Sequence, residues 1–333
     1  MAFDNIKLEK GMYATEKSFS QVLEELDPSE NYRGTPFEGL DAFGRQLKRF
    51  DIKVSGPNSD CIQKFFSTTQ SAALFHEYVA RAVRQGIEQA NLLPQIVATT
   101  TRIKGMDYRT ITSVPSEEDK SLKVVEEGAT IPQTEVKTQE NLVKLHKRGR
   151  MLVASYEAIK FQRIDLFTVT LRQIGAYIAQ QQFKDAVDVL INGDGNDNPI
   201  ETIPIGSTSL RYEDLLSLVN ALDPYELNTI IAPPEMMVEM LKLEEFKNPQ
   251  TGINFQGTGK MGHPLGANFI KSRAVDPDLI IGLDKRCSLE MIVASDVTVD
   301  YDKLIDRQLE RAAITTIAGF AKIFPDASKA LGC

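Results

Sequence analysis

Cysteine and histidine are scarce in this chain of 333 residues, which contains three of each. Cys61, Cys287 and Cys333 lie far apart and form no Cys-x-x-Cys pair, so the sequence predicts reduced thiols and not a disulfide framework or a zinc site. The three histidines are isolated from one another as well. We therefore expect neither a metal nor a cofactor.

Long apolar runs are absent too. No stretch of about eighteen apolar residues occurs, and residues 1–10 carry alternating charges without an apolar core. We therefore expect no membrane span, no secretion signal and a chain that stays in the cytosol in which it is made. The net charge of −8 argues against a nucleic-acid-binding surface, because affinity for a phosphate backbone requires clustered Lys and Arg.

The sequence also lacks a convincing catalytic motif. Residues 257–262 match the glycine pattern of dinucleotide-binding loops, but no buried strand precedes them and Pro264 prevents the helix that should follow. Residues 194–198 resemble a calcium-binding loop, yet Pro199 stands where that loop requires glycine. No nucleophile elbow, zinc-protease motif or cysteine–histidine pair is present. The sequence predicts no catalytic residue, and a cytosolic nucleotide-binding enzyme is only a remote alternative.

The chain does contain one long helical pattern, from Asp165 to Ile191. Its apolar residues recur at a spacing close to the period of an α-helix. They are Phe167, Leu171, Ile174, Ile178, Phe183, Val187 and Leu190. Asp165 is suited to cap the N-terminus, and Asn192-Gly193 tolerates the left-handed turn that ends many helices. We call this helix the spine and expect it to be on the order of 40 Å long and to support other elements.

The segment Met106–Arg150 is polar, and its charges are sorted along the chain. Strand-like pieces alternate apolar and polar residues, but large apolar residues are few, so we expect no core within the segment. Acidic residues lie in the middle and basic residues at the returning end: Glu117, Glu118, Asp119, Glu126, Glu127, and Lys144, Lys147, Arg148, Arg150. Folded as a hairpin, the segment has an acidic tip roughly 40 to 60 Å from a basic root. It is either a solvated flexible loop or an arm that becomes ordered on a basic surface of another copy.

The remaining patterns predict an α+β protein with mostly antiparallel strands. Residues 1–64 contain short helical patterns that cannot bury their apolar faces alone, so we expect an arm that packs on its own body or on a neighbouring subunit. A helix is predicted at Ser71–Asn91 and a strand at Ile96–Ile103. Thr229–Ala232 begins a compact βα unit, residues 288–293 and 297–301 predict two separate strands, and Ala312–Phe324 predicts a final long strand.

Three stretches and their order resemble a known family. They are Val124–Ala129 in the hairpin segment, Lys147–Glu157 just before the spine, and Leu190–Gly195 at its end. Together with the hairpin, the spine, the βα unit and the closing strand, they make the chain similar to the major capsid proteins of tailed bacteriophages over roughly residues 65–333. The fold of that family is named after phage Hong Kong 97.

The resemblance implies a Hong Kong 97-like organisation with peripheral and axial domains and an extended hairpin loop. The implied divisions are an N-terminal arm (1–64), a first peripheral part (65–105), the hairpin loop (106–150), a peripheral part with the spine (151–206), an axial domain (207–302) and a peripheral closing strand (303–333). The hairpin loop is then expected to reach over an adjacent subunit. The nine charged residues named above are the expected subunit interface.

The function implied by the resemblance is that of a major capsid protein. It self-assembles into the icosahedral shell that encloses the double-stranded DNA of a tailed phage or prophage. The expected partners are further copies in hexamers and pentamers, together with portal, scaffolding and decoration proteins, without sequence-specific nucleic-acid binding. The expected location is the virion capsid, assembled in the bacterial cytoplasm. An encapsulin-like compartment shell, which shares the fold, is the alternative.

Overall fold

The computed structural model describes residues 2–13, 18–112, 124, 137–155, 157, 161–206, 210–247, 264–304 and 309–332. Within these ranges lie seven α-helices. They are α1 (Phe19–Leu26), α2 (Ala42–Arg49), α3 (Thr69–Ala90), α4 (Ile164–Asn192), α5 (Tyr212–Ala221), α6 (Pro234–Lys242) and α7 (Glu244–Lys247). Helix α4 is the predicted spine, and its 29 residues confirm the helical pattern.

The same ranges contain strands that form three sheets. The strands are β1 (Val97–Arg102), β2 (Ile111–Thr112), β3 (Lys137–Thr138), β4 (Leu145–Ser155), β5 (Glu201–Pro204), β6 (Thr229–Ala232), β7 (Asn268–Lys271), β8 (Leu279–Leu283), β9 (Leu289–Leu304), β10 (Leu309–Lys322) and β11 (Ser328–Gly332). The sheet orders are β1-β9-β10-β4, β5-β11-β8-β6-β7 and β2-β3.

The chain divides into two compact units. Unit 1 comprises Met1–Ala90, Arg148–Ala179 and Asp296–Thr316, and unit 2 comprises Asn91–Lys147, Gln180–Ser295 and Ile317–Cys333. Each unit contains buried apolar clusters of its own.

Unit 1 is built around α3 and the first half of the spine, whose apolar residues belong to one buried cluster. The two helices approach so closely that a Cβ atom at Gly86 would overlap the backbone of Arg172, and one at Gly175 would overlap the backbone of Val83. Glycine at these two positions therefore permits the helices to pack with their backbones in contact.

The N-terminal segment is part of unit 1. Phe19 and Leu23 of α1 and Phe43 and Leu47 of α2 are buried in the same cluster as α3 and the spine. Helix α1 begins after Ser18, whose hydroxyl oxygen accepts a hydrogen bond from a first-turn amide. The segment thus packs on its own body, which was the first of the two predicted alternatives.

A buried ion pair lies inside this N-terminal part. Arg45 is fully buried, and its Nε lies 2.6 Å from Oδ2 of Asp27, which is only 1% exposed. The hydroxyl of Tyr32 donates to the same carboxylate at 2.6 Å, and its ring lies 4.1 Å from the guanidinium carbon of Arg45. Breaking such a pair leaves an uncompensated buried charge, so the pair ties α2 to the chain before it.

Unit 2 contains the second half of the spine and the five-stranded sheet. All four residues of β6 are buried, and this strand pairs parallel with β7 and antiparallel with β8. Strand β11 pairs antiparallel with β8 and parallel with β5. The sheet is therefore mixed, whereas the sequence led us to expect mostly antiparallel strands. Helix α6 follows β6 with Pro234 in its first turn, which confirms the predicted βα unit.

Two strand predictions differ from the structure. Residues 288–293 and 297–301, expected as separate strands, belong to the single 16-residue strand β9. The final strand β10 is followed by β11, which the sequence did not predict. Four of the five residues of β11 are buried. Because a strand covered on both faces shows no apolar–polar alternation, its sequence carries little periodic signal.

Candidate subunit interface

The four predicted basic interface residues lie on and beside β4. Lys144 directly precedes the strand, and Lys147, Arg148 and Arg150 lie within it. Lys144, Lys147 and Arg150 are exposed, whereas Arg148 is half-buried. Strand β4 stands at the end of the sheet order β1-β9-β10-β4. Exposed basic side chains on the last described strand of a sheet make this strand suited to contact another chain.

The five predicted acidic interface residues (Glu117, Glu118, Asp119, Glu126 and Glu127) lie outside the described residues. Val124, which lies between them in sequence, is described and is 99% exposed. The predicted contact between an acidic tip and a basic surface therefore stays a prediction.

The base of the hairpin segment is an antiparallel ladder. Strands β2 and β3 pair antiparallel, with Ile111 opposite Thr138. Nearer the root, the amide of Gln139 donates to the carbonyl oxygen of Thr110 at 3.0 Å, and that of Val143 donates to the carbonyl oxygen of Tyr108 at 2.8 Å. The two ends of the segment therefore run together as a hairpin requires.

The expectation that Met106–Arg150 has no core is wrong at this base. Val143 is 4% exposed and belongs to a small buried cluster with Ile292 and Ala321, and Tyr108 packs against that cluster. A few buried residues at the root suffice to hold the two arms, although their number in the sequence was too small to indicate a core.

A buried carboxylate holds the first part of the hairpin segment, residues 106–112, which we call the outgoing arm. Glu290 of β9 is 5% exposed and accepts hydrogen bonds from the hydroxyls of Thr101, Tyr108 and Thr110, the one from Tyr108 at 2.8 Å. Burial, with the hydrogen bond to Glu290, raises the pKa of Tyr108, so the phenol stays a donor at neutral pH. Three hydroxyl donors compensate the desolvation of the carboxylate and fix the start of the segment to β9.

The last part of the hairpin segment, residues 137–150, which we call the returning arm, is held by the turn that ends the spine. Asn141 donates its backbone amide to the Asn196 side chain at 3.1 Å and its side-chain amide to the carbonyl oxygen of Gly195 at 2.7 Å. The Asn196 side chain in turn donates to Oε1 of Gln139 at 2.6 Å. These polar contacts attach the arm directly after β3 to the end of α4.

The turn itself is organised by internal hydrogen bonds and a buried lysine. Gly193 adopts a φ of 86°, which glycine tolerates at low cost. Lys322 of β10 is fully buried, and its Nζ donates to the carbonyl oxygen of Asn198 at 2.7 Å. Burial lowers the pKa of Lys322 to about 8, although the carboxylate of Asp194 opposes this shift. The calcium-like stretch 194–198 is therefore a turn that follows the end of the spine.

Neither a metal site nor a membrane-spanning helix is present in the described part of the chain. Among the described residues, no three His, Cys, Asp or Glu side chains are placed to hold a metal ion. No helix within the described ranges is long and apolar enough to cross a membrane. The dinucleotide-like stretch 257–262 lies outside the described residues.

Sequence reasoning missed the residues that anchor the hairpin segment. Glu290, Gln139, Asn141 and Lys322 carry no motif, because their partners lie 54 to 189 positions away along the chain. The only available signal was the calcium-like stretch 194–198, which marked a turn rich in polar side chains. Only the folded chain brings these groups together.

Comparisons with known proteins agree with this architecture. A family model described as "Phage capsid protein" matches residues 138–292, which include β4, the spine and the first part of the five-stranded sheet. No curated protein sequence matches the chain.

Solved structures match over most of the chain. A virus-like particle subunit from Pyrococcus furiosus has a TM-score of 0.52 and 15% identity, and the match covers 77% of this chain and 99% of the other. The capsid of a native GTA particle has a TM-score of 0.53 and 14% identity, covering 72% and 89%. The chain has the Hong Kong 97-like capsid fold. A further capsid-fold match, Microbacterium phage Oxtober96, has a TM-score of 0.52 and 11% identity, covering 73% and 91%.

The matches leave about a quarter of this chain uncovered, so the capsid fold accounts for most, and not all, of its elements. The identities are low, and the shared features are therefore the arrangement of elements and not particular side chains.

Proposed function

We propose that this chain is the major shell subunit of a tailed phage or prophage head. It self-assembles into an icosahedral shell that encloses double-stranded DNA. The observation that supports this most is the capsid fold, which extends over about three-quarters of the chain and coincides with a phage capsid family match over residues 138–292. The role is structural and involves no catalysis.

The assembly contact that we propose joins two copies through the hairpin segment. The segment is fixed at its root by Glu290 and by the turn after the spine. The acidic residues between 117 and 127 then lie on the basic strand β4 of a neighbouring copy. Opposite charges at such a contact orient the partners and speed their association more than they add affinity.

The domain arrangement that we propose follows the resemblance. Residues 65–105, 151–206 and 303–333 form the peripheral domain, residues 207–302 the axial domain, and residues 106–150 the extended loop. Copies meet as hexamers and pentamers, with portal, scaffolding and decoration proteins as further partners. The net charge of −8 suits a shell whose inner surface must release its DNA.

Electron microscopy of the purified protein tests the proposed function. We expect the protein, produced alone and separated by size-exclusion chromatography, to form closed shells or rings of five and six subunits. Shells that contain nucleic acid when isolated from the bacterial host would separate a phage head from a compartment that encloses protein cargo. A subunit that stays monomeric at high concentration and enters no particle in its host would contradict the proposal.

A further inference from the structure

The exposed face of the spine carries large apolar side chains in the first half of the helix and polar side chains farther along. Leu166, Val169 and Tyr177 are 61%, 58% and 49% exposed, and the helical repeat of about 3.6 residues places them on one face. Farther along the helix the same face presents Gln180 and Lys184, which are exposed and polar. We call the three residues of the first half the apolar patch.

The apolar patch is separate from the core of unit 1. The opposite face of the same turns supplies Leu171, Ile174 and Ile178, each at most 6% exposed, to the buried cluster. The helix therefore has its core-facing stripe and carries three further apolar side chains, which the subunit itself leaves exposed beside the polar Thr170 and Gln173 on the same face. A single exposed leucine requires no explanation, but a row on one helix face is typical of a docking surface.

Exposed apolar residues concentrate around this patch in the sequence. Within the described part of unit 1, the large apolar residues that remain exposed are Leu26, Met151, Val153, Phe161, Leu166, Val169 and Tyr177. All but Leu26 fall between positions 151 and 177. This stretch begins in β4, the strand that also carries the exposed Lys147 and Arg150.

We propose that the apolar patch is covered by a second copy of this chain in the assembled shell. The inference rests on the proposed function, because a shell subunit must be covered by copies of itself. Local charge supports the same occupant: a copy carries five acidic residues between positions 117 and 127, which complement the basic end of the stretch. The polar second half of the spine face stays in contact with water.

Alanine substitution tests the patch without disturbing the helix. The variant Leu166→Ala, Val169→Ala, Tyr177→Ala removes exposed apolar area and keeps a strong helix former at each position. We expect an unchanged circular dichroism spectrum and melting temperature of the unassembled subunit. The protein concentration at which shells form, measured by analytical ultracentrifugation, rises by at least about tenfold, because the lost side chains are buried only in the shell.

The control variant Gln180→Ala, Lys184→Ala changes the polar half of the same face and should assemble like the wild type. Footprinting of the wild type gives a second measurement: Tyr177 is oxidised by hydroxyl radicals in the subunit and is protected in the shell. Shells that form at the wild-type concentration from the triple variant, or a Tyr177 that stays reactive in shells, would overturn the inference and leave the proposed function standing. A wild-type protein that stays monomeric at high concentration and enters no particle in its host would instead contradict the proposed function.

Discussion

Lys322 shows at the scale of one residue how the fold changes a side chain's chemistry. In the sequence it follows an apolar strand and looks like the charged end of β10. In the structure it is fully buried and donates to the carbonyl oxygen of Asn198, at the turn that also holds the returning arm of the hairpin segment. A charged amine in such surroundings loses its hydration, which explains why its pKa falls to about 8.

The lowered pKa predicts a specific dependence of stability on pH. Because the folded pKa of about 8 lies below the ordinary 10.5, the unfolded chain binds more protons between these values, and folding becomes more favourable as pH rises through this window. The burial penalty is fully present below pH 8 and disappears above 10.5. The free energy of unfolding of the wild type, relative to Lys322→Met, should rise by up to about 3 kcal/mol from pH 7 to pH 10.5.

Urea unfolding of both proteins at intervals across this range measures the difference. The cost of leaving the carbonyl of Asn198 without its donor is nearly the same at each pH and cancels. The exposed Lys271→Met is the matched control and should differ from the wild type by a constant amount. A constant difference for Lys322→Met as well would show that Lys322 titrates as an ordinary surface lysine.

At the scale of an element, β4 combines two roles. Its inner neighbour is β10, and a Cβ atom at Gly149 would overlap the backbone of Ile314, so the strands approach closely there. The side chains of Lys147, Met151 and Val153, at alternating positions on either side of that glycine, are exposed. The strand is thus held on one side by β10 and carries side chains that are exposed to solvent.

Charge reversal on β4 should impair assembly without unfolding the subunit. The variant Lys147→Glu, Arg148→Glu, Arg150→Glu places like charges opposite the proposed acidic tip of a neighbour, and we expect the shell yield to fall at least about tenfold. The double variant Lys147→Glu, Arg150→Glu, which keeps the half-buried Arg148, should change the free energy of unfolding by no more than about 0.5 kcal/mol. Sedimentation and thermal melting measure the two effects.

A matched control separates this contact from the change in net charge. Lys184→Glu, Lys271→Glu, Lys285→Glu reverses three other exposed lysines and should leave the shell yield near that of the wild type. If both triple variants lose assembly equally, or if the β4 variant assembles normally, the proposed contact of the hairpin segment is wrong.

At the scale of the whole molecule, the N-terminal segment is a structural part of the subunit. It supplies Phe19, Leu23, Phe43 and Leu47 to the cluster that also contains α3 and the spine. The ion pair between Arg45 and Asp27 is enclosed in the same segment. A segment that carries this much of a core cannot be removed without exposing the rest of it.

We therefore expect the N-terminal segment to be retained in assembled shells. Mass spectrometry of the shell subunit should detect peptides that contain α1 and α2. A variant without residues 2–66 should fail to fold as unit 1, because the loss of four large buried side chains alone costs about 8 to 20 kcal/mol, comparable to the whole stability of a domain. Shells built from chains that begin after Phe66 would contradict this expectation.

The sequence by itself determined the elements whose signals are local. The period of the apolar residues located the spine to within one residue at each end, and Asn192-Gly193 marked its end. The sorted charges marked β4 as a basic strand, and the order of the elements sufficed for the resemblance to capsid proteins. These features depend on neighbours within a few turns or strand positions, which the sequence displays directly.

Only the tertiary structure decided which residues the apolar and polar faces of each element contact. It placed the N-terminal segment on its own unit, buried Lys322 at the end of the spine and gathered three hydroxyls around Glu290. It also left Leu166, Val169 and Tyr177 exposed, although apolar residues in a helix are more often buried. The period of the apolar residues shows that a helix face is apolar but does not show what covers it. The covering residues are set by the topology of the fold, because they can lie up to 189 positions away along the chain.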